Sequence, residues 1–303
     1  MVLLLIGIPF LTSAQIKQDG HFITISGAGG YSNFLHEIPN TQSVGGVAGA
    51  AGLGYEFQKN HFFMTLGVDF SYLTSTTNLD DALLTREGFD TEGDLVYFKY
   101  NLSNYKDVQR AGYVSIPLAF GLKGDRLYGA LGVKVGMSVF GSEQIKSDYS
   151  IVGVYDQFID PFENMPNHYY TNYSSTTATS LSFLPNISAT AELGVFLGES
   201  KPVVKKTTKD AIRYKLGVFA EYGFSPIYLN YTAQEMITIN PLATPEVVLK
   251  PLLASTNTWA YPINPLFVGV KFTVLFRVAT QEPCHCIDRS KFGPKHRPKP
   301  RRK

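Results

Sequence analysis

From residue 22 to residue 278 this chain returns repeatedly to an apolar side chain at every second position. The pattern is cleanest in the second half. Ile212, Tyr214, Leu216, Val218, Ala220, Tyr222 and Phe224 occupy one parity, and Arg213, Lys215, Gly217, Phe219, Glu221 and Gly223 the other. Val268, Val270, Phe272, Val274, Phe276 and Val278 alternate in the same way with Gly269, Lys271, Thr273, Leu275 and Arg277. Successive side chains leave a strand on opposite sides, so a period of two means strand. One face is then unbroken apolar surface, and the other mixes small residues with isolated charges. Such a strand belongs in a barrel wall between lipid and a polar, tightly filled interior.

Bulk properties agree with that wall. Charged residues make up 17% of the chain, below the usual quarter for a soluble protein. Mean hydropathy is nevertheless only -0.02, and no internal run of about twenty apolar residues marks a spanning helix. Proteins that cross a bilayer with strands fall in this middle range, because only alternate residues meet lipid. Eight strands are expected, over residues 21–32, 44–57, 61–73, 112–122, 127–140, 182–198, 212–224 and 268–278. The links after the second, fourth and sixth are short or modest. Those after the first, third, fifth and seventh are long and rich in Tyr, Asn, Ser and Thr, over residues 33–43, 74–111, 141–181 and 225–264. The expected fold is an all-β, eight-stranded antiparallel transmembrane barrel, with short periplasmic turns, long outer loops and both termini periplasmic.

A soluble lipocalin-like barrel has a similar strand count, but its outer face is wet and densely charged. Here the less apolar face carries mainly Gly, Ala, Ser and Thr with one or two charges per strand, too little for an outside surface. A two-sheet sandwich does not require strands of this length.

The ends carry further signals. Residues 1–14 hold an apolar run and end Ser13-Ala14 before Gln15, a small-residue cleavage site, so they read as a signal peptide without a positive start. Residues 15–279 form the barrel, and residues 280–303 a basic periplasmic tail. The tail's interspersed prolines keep it extended. Nucleic acid is not an expected partner, since nothing in the tail stacks bases. Anionic envelope material or an acidic envelope protein fits it instead. Cys284-His285-Cys286 places three potential metal ligands in a row, but a closed zinc site needs about four. A disulfide and an inert segment are the competing readings, and no cofactor is expected.

The Ser13-Ala14-Gln15 ending, the Tyr- and Gly-rich strands and the Ile116-Pro117-Leu118 segment resemble the PorT-like outer-membrane proteins of Bacteroidota, within the wider class of eight-stranded OmpA/OmpX-like barrels. The run from Gly269 to Phe276 resembles the C-terminal assembly signal of that class, a glycine followed by alternating apolar residues and an aromatic. The resemblance implies an outer-membrane barrel, and for PorT relatives a part in protein secretion.

Functional candidates divide into three groups. Glu56, Asp69, Glu192 and Glu221, with Lys134, Arg213, Lys215, Lys271 and Arg277, fall on inward positions. Eight strands leave a lumen that side chains just fill, and a dry ion needs a partner. These charges therefore read as a paired plug, or else as the lining of a narrow ion path. His36 and His168, on expected outer loops among serines, are the candidates for rim-sited lipid chemistry, and no spacing makes a triad of them. The outer loops, with Tyr169, Tyr170 and Tyr173, suit adaptable protein contact. The expected role is structural or interactive rather than catalytic, with membrane lipid around the wall and an envelope protein at the loops or tail.

Overall fold

The computed structural model describes residues 20–89, 93–156, 169–180, 183–197, 212–228, 237–240, 246–255 and 261–278. Eight long strands close into one antiparallel ring: β1 (Gly20–Leu35), β3 (Gly46–Lys59), β4 (Phe62–Leu79), β6 (Leu95–Lys123), β7 (Leu127–Val154), β9 (Asn186–Leu197), β10 (Ile212–Gly223) and β13 (Asn264–Arg277). Each pairs with its chain neighbour in the ring, and β1 closes it against β13 from Phe22↔Arg277 to Leu35↔Asn264. Closure leaves these strands no free edge inside the bilayer, where an unpaired peptide group has no water to bond. Smaller strands stand outside the ring: β2 (Thr41–Ser43) on β4, β5 (Ala82–Phe89) on β6, and β8 (Tyr169–Ser180) on β7. β11 (Ile237–Asn240) and β12 (Glu246–Leu249) form a separate hairpin, followed by one helical turn, α1 (Leu252–Ser255).

The apolar parity faces out. Leu131 is 70% exposed, Leu193 66%, Leu53 63% and Val218 60%. Soluble monomers rarely carry contiguous apolar patches beyond a few hundred Å², whereas this belt runs around the whole ring. Aromatic residues mark both margins: Tyr31, Phe140, Tyr222 and Phe224 at one end, and Tyr55, Phe62, Tyr214 and Phe276 at the other, all exposed. This is the aromatic girdle of a membrane-crossing barrel. Beyond the first margin the outward positions of β6 and β7 turn polar, where an Arg110 guanidinium nitrogen donates to Gln144 Oε1 at 3.3 Å.

At the second margin the turns are tight. Asn60, at φ 53°, carries the chain from β3 to β4; Asn tolerates this left-handed conformation better than most residues. The Gly124 amide donates to the Leu127 carbonyl at 2.8 Å to close the β6–β7 turn.

Two of the expected outer loops are largely strand. β4 continues to Leu79, while β6 starts at Leu95 and β7 runs to Val154. Together with β5 and β8 they form a four-stranded sheet beyond the belt. Here the outward side chains meet water, so polar residues there signal exposure rather than loop. The inward residues Tyr100, Leu102, Ile145 and Ile151 pack with Ile38, Leu249 and Leu252 into a second core outside the bilayer. β13 likewise begins at Asn264, four residues before the first residue expected in strand.

The β1–β13 seam depends on glycine. A Cβ added at Gly269 would overlap the Gly29 carbonyl, and one at Gly30 the Val268 carbonyl. Neither obstacle is a flexible side chain, so the strands themselves must separate. Gly269→Val is expected to lower the folded fraction in lipid sharply, read by heat-modifiable gel mobility, while Gly27→Ala, where a Cβ meets nothing within 4 Å, leaves it unchanged.

Candidate functional site

The inner face alternates with the belt, so every second residue of each strand enters the lumen. At the end near the termini, Lys215 of β10 is 3% exposed and its ammonium lies 2.5 Å from Glu56 Oε2 of β3. Glu56 is 2% exposed and also accepts from Gln58 Nε2 at 2.5 Å and from the Thr65 hydroxyl at 3.1 Å. Lys123 Nζ donates to Gln58 Oε1 at 2.7 Å. Three aromatic rings surround the same ammonium, with centroids at 4.1 Å for Phe63, 5.0 Å for Tyr128 and 5.3 Å for Phe196. Cation–π attraction is strongest for such a desolvated cation. Ion pair and rings together seal this end.

Further in, Lys134 of β7 bridges two carboxylates, Asp69 Oδ2 at 2.9 Å and Glu221 Oε2 at 2.8 Å. Ser188 donates to the other Glu221 oxygen at 2.9 Å. Lys271 of β13 meets Glu192 Oε2 at 2.8 Å, and the Tyr128 hydroxyl donates to Glu192 Oε1 at 2.6 Å. Seven of the nine inward charges thus fall in three ion-paired groups inside the lumen. Arg213 stands below them with its guanidinium 5.4 Å from the Phe22 ring. Arg277 is exposed where β13 ends. Beside the ion pairs a cavity of about 110 Å³ is lined on the β1 and β3 side by Ser26, Ala28, Ala50 and Gly52. Above it an apolar layer that includes Phe34, Tyr113, Phe183, Phe219, Ile227 and Phe267 fills the barrel, with Phe219 and Phe267 edge to face at 4.8 Å.

The mouth opposite the termini holds a second polar cluster. Asp107, Gln109 and Glu143 are 0–1% exposed, and the Leu252 amide of α1 donates to Asp107 Oδ2 at 3.2 Å. Burial pushes the Asp107 carboxyl up to about 6, against the opposing pull of its polar neighbours. Burial first, then the Asp107 and Glu143 charges, drives the Tyr105 hydroxyl well above an ordinary phenol. These residues fall in segments read from sequence as loop. The signal that marks them is the spacing of Tyr105, Asp107, Gln109 and Ala111 at every second position.

Of the histidine candidates, His36 is half-buried and its Nε2 lies 3.1 Å from the Thr77 hydroxyl. Burial lowers its affinity for a proton. Its Nδ1 meets no hydrogen-bond partner among the described residues, so no carboxylate there orients the ring as a catalytic base. His168, Cys284, His285, Cys286, the basic tail and the signal segment lie outside the described residues.

Closed ring, exposed apolar belt and filled lumen define a small transmembrane β-barrel. No protein-family model matches the chain, and no curated protein matches it. Among solved structures it is similar to Ail, the attachment invasion locus protein of Yersinia pestis, solved in complex with the heparin analogue sucrose octasulfate. The identity is 11%, the match covers 84% of this chain and 98% of that one, and the TM-score is 0.20, too low to bear on the fold or the function.

Proposed function

We propose that the chain is an integral outer-membrane barrel with a structural or protein-interaction role, in which the outer sheet contacts an envelope partner. The supporting observation is where exposed apolar side chains persist beyond the belt. On β5, Leu83 is 67% and Phe89 73% exposed, although this strand stands outside the ring. The ion-paired lumen supports an anchoring wall over a conduit. A subunit of a secretion or envelope assembly is the concrete form of this role, with the termini and the basic tail in the periplasm.

Whole-cell photo-crosslinking from position 83 or 89 is the direct test. One dominant protein adduct, missing when the probe replaces lipid-facing Val218, is the expected result; adducts to lipid alone would remove the interaction role. Planar-bilayer recording is expected to show no steady conductance. A steady conductance altered by Lys134→Met or Lys271→Met would establish the narrow channel instead.

A further inference from the structure

At the second margin the lipid-facing side of three neighbouring strands is not flat. Phe57 and Lys59 of β3, Phe62 and Met64 of β4, and Phe120 and Leu122 of β6 line a cavity of about 270 Å³. The register sets these residues in two rows. Phe57 pairs with Met64, and Met64 with Phe120; one step nearer the turns, Lys59 pairs with Phe62, and Phe62 with Leu122. Phe62 is 66% exposed, Phe120 57% and Leu122 48%. The groove is apolar within the belt and carries one ammonium where the strands leave it.

The chain itself satisfies neither half of this arrangement. Water gains nothing in the apolar half, since a bound water needs polar partners. Lys59 is exposed, and no carboxylate pairs with it among the described residues. Glu56, three residues before it, faces the lumen and is held by Lys215. A lysine at this depth lays its stem along apolar surface and keeps its charge at head-group level. The rim around it is also basic. Lys123, Arg126 and Arg277 stand at this end, and Asp125 is the only acid in the two turns at 60–61 and 124–126.

We propose that this groove binds one anionic glycerophospholipid, with an acyl chain against Phe62, Met64 and Phe120 and the phosphate on Lys59. A soluble anion would use only the ammonium, and a plain hydrocarbon only the groove. A phosphate joined to an acyl chain at the edge of the hydrocarbon uses both, and it is continuous with the lipid that covers the belt. The basic rim favours a head group of net negative charge over a zwitterionic one. The site differs from ordinary boundary lipid in holding one molecule at one place on the wall.

The test uses the full chain folded in detergent and freed of lipid. Native mass spectrometry is expected to show one phosphatidylglycerol retained per chain, and phosphatidylcholine of the same acyl length lost. Lys59→Gln weakens retention about fivefold, the share of one basic residue at an anionic membrane surface. Met64→Trp, which fills the groove from its wall, weakens it with Lys59 unaltered. Lys99→Gln, beyond the belt at the other end, leaves it unchanged. Glycerol phosphate, which lacks acyl chains, does not displace the lipid. A readout that needs no variant uses the unaltered chain in vesicles: phosphatidylglycerol with a photoreactive acyl chain is expected to label residues 57–64 and 118–122 above the rest of the belt. Equal retention of both lipids, parental retention by Lys59→Gln or Met64→Trp, an equal loss with Lys99→Gln, displacement by glycerol phosphate, or labelling spread evenly around the belt each overturns the site. None of these outcomes bears on the contact proposed for β5.

Discussion

Lys215→Met is expected to destabilise the barrel by about 3–5 kcal/mol, the usual consequence of removing one member of a buried ion pair. Glu56 would remain 2% exposed with only Gln58 and Thr65 as hydrogen-bond donors. The methionine chain fills a similar volume, so the loss reports charge rather than a hole. The rings of Phe63, Tyr128 and Phe196 would lose their cation as well. Urea unfolding in lipid vesicles measures the change. Adding Glu56→Gln is expected to restore most of the stability, since replacing both charges removes the stranded carboxylate. A single variant as stable as the parent would mean that water reaches this pair and the lumen is open at this end.

Val218→Arg is expected to weaken the barrel in lipid by about 2–4 kcal/mol, the penalty for arginine at the bilayer midplane of such a wall. Val218 lies midway along the outward row of β10, is 60% exposed, and pairs with Val270 on one side and Leu193 on the other. Arginine there creates no clash inside the protein; the penalty comes wholly from hydrocarbon. Lys99→Arg, beyond the belt on β6, is expected to change nothing. Unfolding in vesicles separates the two. An indifferent or stabilising Val218→Arg would place water against this face, and the membrane assignment would fail.

The outward row was legible without coordinates because lipid imposes one demand on every second residue, and that demand is written locally. Val268 to Val278 declares its face within eleven residues. The lipid-crossing cores of the eight strands follow from the same rule. It failed where lipid ends. Residues 95–110 and 141–154 alternate too, but their outward members are Lys106, Arg110, Gln144 and Lys146, and a wet face removes the contrast on which the pattern depends. Asp107, Gln109 and Glu143 were missed for that reason.

Sequence alone established that strands of period two present one greasy face to lipid and carry sparse ions on the other, because side-chain parity is a property of the extended backbone. It could not say which ion meets which. Lys215 and Glu56 are 159 residues apart, and Lys134 reaches both Asp69 and Glu221 from a third strand. Those partnerships depend on the register and closure of the whole ring. So does the mouth opposite the termini, where Leu252 of α1 packs against residues of β6 and β7 that lie more than 100 residues away in the chain.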